Sequence, residues 1–565
     1  MKGARVARAV LVAVSFPAMT PPSKPLETAA ASTALPRSPA PSQMGDLVIV
    51  AAITFLTLFV FGGSARHEFV DLDHHFYAGN PHVQQGLTLE NIRWAFSTVV
   101  ASNWHPVTML GHMAVHQFFG ASSAAHHLVN VFLHLANAML VFVLFRRMTS
   151  AAWRSGVVAL LFSLHPFRVE SVVWVAELKD VLSGFWALLA LLSYTRYAAR
   201  PSPWRYAPVM AFYALGLMSK ASIVSLPALA LILDFWPLGR WQAGEKQWRS
   251  FAMLVLDKLP LVLLSVAMSV MTFVTFSDGT LKSTHVLSKS YGVVMALRAY
   301  LAYVAHTFYP VGLVPHYPYV AIDGLFVHTI VPLLALGGIT AIAIVRWRRE
   351  PYLIAGWSWF VIGIFPVSGI VPFASHFRAD RYTYLPSIGL FAALVWCAAG
   401  LTERRPAMRR VAWIAAMGSI LACAVLSFIN VHYWRDNYAL FSRAVQIVPD
   451  SSLMHSGLAS AYLQRNQFGP AEEELRTALH LNPSSIHNEK RLAGLLLLTD
   501  RPKESAEMYR RIVDKEPGVA QNYLLLALAL EKTGDVTGAQ RWAEQAQQLD
   551  PGNRDIAEAV RRLAS

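Results

Sequence analysis

Long apolar blocks alternate with short polar linkers along most of this chain. The blocks at 45–63, 123–145, 180–194, 221–236, 251–276, 325–345, 384–399 and 411–430 are almost free of charge and approach the roughly 20 residues that cross a bilayer as helix. About eleven or twelve spans are expected by that criterion. The linkers are of two kinds. One kind is short and basic, as at Arg146, Arg147 and Arg154, then 196–205, 346–349 and 404–410. The other mixes carboxylates, histidines and cations in FVDLDHHFYAGNPHV (69–83), HPFRVESVVWVAELKD (165–180) and SHFRADRYTYLPSIG (375–389). Ionisable groups at a membrane boundary are costly unless partnered, so the mixed linkers predict a site on one membrane face.

With the basic linkers in the cytoplasm, 64–122, 166–179, 277–290 and 367–382 become external. Segment 291–309 has helical character. If it crossed, however, the next span could not end at the basic cluster 346–349, so it reads as interfacial, re-entrant or a short helical pair. Within 64–122, Thr88 caps a helix whose Leu89, Ile92, Phe96 and Val99 recur at helical spacing, and that stripe would lie on the membrane surface. A second helix, 106–119, carries His112 and His116 one turn apart. The two helices would form a lid or wall over the external boundary.

Composition agrees with a polytopic membrane chain: 55% hydrophobic and 15% charged residues, with mean hydropathy +0.40, are far from a soluble protein of this size. The net charge of +14 sits largely beside span ends, a positive-inside pattern that argues against a nucleic-acid partner. Cys397 and Cys423 fall inside expected spans, so there is no disulfide framework. Residues 1–44 read as a disordered leader or over-extended start, with a cleavable signal as the alternative.

After residue 430 the chain becomes rich in Ala, Glu, Gln, Leu and Arg, with prolines at 449, 483, 517 and 551. That spacing is the tetratricopeptide period. Leu458, Ala459, Tyr462, Ala471, Leu475 and Ala478 occupy the packing positions of one repeat, Leu492, Ala493, Tyr509 and Ile512 those of a second, and Tyr523, Leu526, Ala527, Leu530, Ala539 and Ala546 those of a third. A half repeat, 437–449, precedes them. The expected fold class is all-α: a helical membrane bundle, 45–430, followed by a repeat solenoid, 431–565, on the same external side as the mixed linkers.

These linkers, followed by the solenoid, resemble the bacterial relatives of the TMTC family, the transmembrane and tetratricopeptide-repeat O-mannosyltransferases. FVDLDHHFYAGNPHV, NWHPVTMLGHMAVHQFFG, HPFRVESVVWVAELKD and ADRYTYLPSIG carry the likeness. The resemblance implies a C-type membrane glycosyltransferase in the bacterial inner membrane. It would take a sugar, mannose by the family's name, from a polyprenyl-phosphate carrier and pass it to a protein or glycan hydroxyl on the periplasmic side. Related sequences carry paired acids after the first span. Here Asp73 matches the first acid and His74 replaces the second, which weakens any metal-bridging role.

Such a transfer needs a base, positive charge for the departing phosphate, and a lipid route. Asp73 is the candidate base, with Asp71 and His74 beside it. Arg381 is the first phosphate candidate, because a guanidinium pairs with phosphate oxygens as a fork, and Lys179 the second. Asp380, Tyr382, Glu170 and His105 complete the donor-binding set. Each has a plainer reading: Asp380-Arg381 as an interfacial anchor, Glu177, Lys179 and Asp180 as helix-end solvation or capping, Asp73 as a loop carboxylate bonding locally. Seven histidines lie between His67 and His116, yet Met113 stands where HExxH needs Glu. No dedicated metal site is assigned, and a divalent metal stays open as a cofactor. Gly-rich phosphate loops, nucleophile elbows and Cys-based metal spacings are absent. The expected partners are the polyprenyl-linked sugar, membrane lipid and a protein or peptide acceptor at the repeats. Two other classes remain open: a membrane-anchored scaffold, and a lipid or glycan transporter with His127 and His134 as its ionisable groups inside a span.

Overall fold

The computed structural model describes residues 43–241, 247–277, 289–319, 326–370 and 376–564. The leader through residue 42 and most of the 277–290 linker lie outside them. Almost everything described is helix. Tyr317–Pro318 and His376–Arg378 pair as two short antiparallel strands.

The bundle begins with Gln43–Phe61, which packs on Ser123–Thr149 and Ala152–Leu164. Small residues allow the close crossings expected where lipid supplies no hydrophobic drive between helices. At Gly156 a side chain would collide with Ile49, and at Gly356 and Gly389 a Cβ on either would strike the other's carbonyl. Large apolar side chains face outward, with Phe55 66%, Leu334 68% and Ile414 72% exposed. A patch of that extent is untenable in water and natural in lipid.

Among the described residues, four helices are long and apolar enough to cross a membrane by length and composition: 43–66, 123–149, 326–346 and 406–433. The bent pair 248–256 and 259–275 would make a fifth if it is one span. This is fewer than the eleven or twelve expected from the apolar blocks. The apolar helices Ala152–Leu164, Ala221–Phe235 and Pro351–Val367 are too short for the criterion. Leu178–Ala199 carries Lys179, Asp180 and Arg196 at its ends.

The basic linkers gather at one end of the bundle and are stitched by ion pairs. Arg146 reaches Asp46 at 3.0 Å, Arg404 reaches Glu350 at 3.0 Å, and Arg154 pairs with Glu403. The mixed linkers gather at the other end. Helix Lys289–Phe308 belongs there along its length. Gly292 lies against the Ile370 carbonyl, the Tyr303 hydroxyl donates to the Ala379 carbonyl at 3.1 Å, and the Thr307 carbonyl lies 3.2 Å from His165 Nε2. The capped helix Leu89–Ser97 and helix Pro106–Phe119 form where expected, with Thr88 accepting from the Asn91 amide at 3.1 Å and Leu89 left 65% exposed.

The solenoid starts with the half repeat Asn437–Ile447. The pairs Ser452–Gln464 with Phe468–Leu481, Ile486–Leu498 with Pro502–Lys515, and Ala520–Thr533 with Val536–Leu549 follow, closed by Arg554–Ala564. Ala459, Ala471, Ala493, Ala527, Ala539 and Ala546 are fully buried where helices cross, and Leu475, Tyr509, Ile512 and Leu526 fill the space between them. The first repeat is fused to the membrane domain by a shared core: Val314 and Tyr317 pack with Phe441, Ala444, Met454 and Leu458. At Gly457 any side chain would strike the Phe441 ring.

Candidate active site at the repeat-bearing end

The mixed linkers converge on one buried carboxylate. Glu177, 1% exposed, ends the linker after Ala152–Leu164, so its side chain turns inward at the helix-to-helix corner. Lys179 Nζ and Arg381 Nε both lie 3.2 Å from its Oε1, and Lys220 Nζ lies 3.2 Å from Oε2. Lys220 also pairs with Asp180, which accepts from Ser171 at 3.0 Å. Arg381 pairs with Glu170 through its guanidinium, and its backbone amide donates to Glu170 Oε2 at 2.8 Å. Aromatic faces complete the wall: Arg381 lies 5.3 Å from the Trp174 and Tyr382 ring centres, and Lys179 4.8 Å from that of Tyr77. Lys179 also donates to the Tyr77 hydroxyl at 3.1 Å.

Charge sets the ionisation here. Burial alone would raise the Glu177 carboxyl, but Lys179, Lys220 and Arg381 together hold it below the usual range. Burial pushes Glu170 up to about 7 against the pull of Arg381, with Asp380 and Glu177 adding to the rise. Burial likewise lifts Asp380 to about 6, offset by Arg378 and the Tyr317 hydroxyl. That hydroxyl donates to Asp380 Oδ2 at 3.0 Å. Burial, then Arg381, drives His376 well below its ordinary value. Its Nε2 lies 2.9 Å from the Tyr382 hydroxyl.

The structure brings Lys179, Arg381, Glu170, Asp380 and Tyr382 together. Asp380 is not the partner of Arg381 that the dipeptide suggests, since it faces Tyr317 while Arg381 takes Glu170 and Glu177. Asp73 stands at the margin, half-buried and near enough to act electrostatically on Lys179 and Tyr77. Its carboxylate makes no hydrogen bond among the described residues. His105 is buried behind Tyr77, rings 5.6 Å apart, and burial lowers it to about 3. His74 packs against Phe69, 4.4 Å between ring centres, away from the cations. Asp71 is exposed and turned toward the repeats, its amide donating to Asn437 Oδ1 at 2.7 Å.

Residue-by-residue reading missed Lys220, Tyr77, His376 and Arg168. The lone lysine in GLMSKASIV, far from the basic linkers, was the available signal for Lys220. Arg168 is fully buried, donating to the Tyr384 carbonyl at 2.6 Å and to Ser387 Oγ at 2.9 Å. It pins the turn that carries Arg381. Among the described residues no group of three His, Cys, Asp or Glu is placed to hold a metal ion.

A cleft opens beside the cations. Lys220, Asp180, Arg381 and Tyr382 line one part, and Ile223, Leu226, Leu229 and Leu385 the other. Lys179 and Asp73 do not line it. The cavity is small, about 30 Å³, with one end of its wall polar and the other apolar.

Comparison with known proteins agrees with the linker motifs. Human protein O-mannosyl-transferase TMTC3 is 21% identical over 438 residues, 72% of this chain and 48% of that protein. The chain is thus similar to TMTC3 over most of its length. Drosophila melanogaster Tmtc1 is 29% identical over 161 residues, 27% of this chain and 18% of that protein. Mouse TMTC1 is 30% identical over 148 residues, 24% and 15% respectively. The chain spans about half the length, 48%, of the human relative. A tetratricopeptide repeat family model matches residues 492–554. The crystal structure of the APC/C hetero-tetramer Cut9-Hcn1 overlaps 77% of this chain and 96% of its own at 11% identity, with a TM-score of only 0.23.

Proposed function

We propose that this protein is a membrane glycosyltransferase that moves a sugar, mannose in the first instance, from a polyprenyl-phosphate carrier to a protein or glycan hydroxyl on the non-cytoplasmic side. The observation that carries the proposal is the set of three cations, Lys179, Lys220 and Arg381, around buried Glu177 at the end of the bundle that bears the repeats. The relatives' printed names, protein O-mannosyl-transferase, supply the sugar and the acceptor class.

In this reading the carrier's phosphate meets Lys220 and Arg381, and its apolar chain runs outward past Ile223, Leu226 and Leu229. The bond between the sugar's anomeric carbon and the phosphate oxygen breaks as the acceptor oxygen bonds to that carbon. Asp73 takes the acceptor's proton, worth roughly 10² to 10⁴ in rate. The phosphate gains negative charge as it leaves, and the cations, preorganised by Glu170 and Glu177 in a site sheltered from water, stabilise it where water would have to reorganise. Glu177 keeps all three cations in place, while Glu170 pairs with Arg381 and Asp180 with Lys220. The alternative of a pure scaffold has no use for three half-buried cations gathered on one buried carboxylate.

The test is transfer of radiolabelled mannose from a synthetic polyprenyl-phosphate donor by the purified full chain. Incorporation that depends on Lys220 and Arg381 supports the proposal. Binding of repeat partners without any transfer from such donors would favour the scaffold.

A further inference from the structure

Loop 69–77 joins the cation cluster to the solenoid within three residues. Asp73 acts on Lys179 and Tyr77 at one end, and Asp71, two residues earlier, is held by Asn437 of the half repeat. Leu72 between them packs into the shared core with Tyr438 and Tyr462. Two residues span at most about 7 Å, so whatever meets Asp73 is within a few residues' reach of the repeat surface.

On that surface the cations of the second repeat are unequal. Lys490 pairs with Glu516, and Arg511 and Lys515 both pair with Glu489. Arg491, their neighbour, is half-buried and forms no ion pair among the described residues. One guanidinium nitrogen donates to the Ser456 carbonyl and hydroxyl at 3.1 Å each, and its other donors have no partner among the described residues. Burial lowers the Arg491 guanidinium from its ordinary value and Asp71, across the seam, opposes that, as it does for the exposed His487. A shielded guanidinium without a carboxylate is costly and is a fork ready for one.

We propose that the seam between Asp71 and Arg491 is an acceptor-reading subsite, in which Arg491 binds an acidic side chain of the acceptor polypeptide about two to four residues from the hydroxyl presented to Asp73. Asp71 is its built-in competitor: it occupies the field of Arg491 when no acceptor is present and sets a threshold against weakly acidic segments. The inference rests on the proposed glycosyl transfer for the identity of the ligand as acceptor, but its test needs no transfer.

Fluorescently labelled Ser/Thr peptides with Glu or Gln three residues from the hydroxyl are titrated against the full chain in detergent, without donor. The Glu peptide should bind about tenfold tighter than the Gln peptide. Arg491→Gln should abolish the preference, and Asp71→Asn should enlarge it. A folding defect cannot move the two variants in opposite directions. Equal binding of both peptides by the unaltered protein, or a preference unchanged in Arg491→Gln, overturns the subsite. If the preference is found while mannose transfer fails, the subsite stands and the proposed enzymatic role falls.

Discussion

Lys179 and Arg381 meet at one oxygen, Glu177 Oε1, each 3.2 Å away, although 202 positions separate them in the chain (381 − 179). Two cations converging on one buried acceptor repel each other unless it stays ionised. Glu177 is therefore the keystone of the cluster. Glu177→Gln should cost about 3–5 kcal/mol, the range for breaking a buried ion pair and stranding its charges. Thermal unfolding in detergent would show it, and an unchanged transition would mean that the cations are solvated and independent.

Donor affinity should depend on pH through Glu170, which lies near 7 in the folded protein. Below that value its carboxyl is neutral and Arg381, then facing Glu177 as its one ionised partner of the two, is more open to an anionic head. Above it the ionised carboxylate competes for the same guanidinium. Affinity for a phosphodiester-linked sugar, whose own charge is constant in this range, should fall as pH rises from about 6 to about 8. Glu170→Gln should flatten the profile. The same shift makes this group's contribution to folding stability decline as pH rises from its ordinary 4.5 toward about 7, because the folded form binds the proton more tightly.

The repeats should be separable only in part. Met454 and Leu458 share a core with Tyr317, and Tyr317 holds Asp380. Removing 451–565 should therefore damage the site itself and abolish transfer even to a short, saturating peptide. Removing 483–565, which keeps the first repeat, should spare that reaction and weaken transfer to dilute protein acceptor, through lost local concentration. Equal activity of the shorter truncation and the full chain on dilute protein would remove the presenting role.

Orientation follows from the two unlike ends of the bundle. A thiol at exposed Ser484 should label from outside intact cells, and one at exposed Arg405 should not, as the positive-inside rule requires. Labelling of both from the same side would break the link between the basic linkers and the cytoplasm.

Much of this was legible in the chain because membrane topology sorts polar groups by linker. The alternation alone sent Glu170, Lys179 and Arg381 to one end, and the proline spacing located the helix pairs of the solenoid. Pattern could not say which neighbours share a face. Asp71, His74 and Asp73 fall within four positions, yet the loop turns Asp71 to Asn437, His74 to Phe69 and Asp73 toward Lys179. Lys220 was hidden because a single lysine between apolar blocks looks like any linker residue until Glu177 and Asp180 are seen beside it. An apolar block and a membrane-length helix differ: Ala152–Leu164 is apolar throughout its core but only 13 residues long, so a count by helix length passes over it.

The most direct measurement is transfer of labelled mannose from a polyprenyl-phosphate donor to peptide, compared in the purified intact protein, Asp73→Asn and Arg381→Ala, with donor binding followed in parallel. The account predicts transfer by the intact chain, a fall of roughly 10² or more in Asp73→Asn with donor still bound, and loss of both binding and transfer in Arg381→Ala. Transfer and donor binding unaltered in both variants would contradict it.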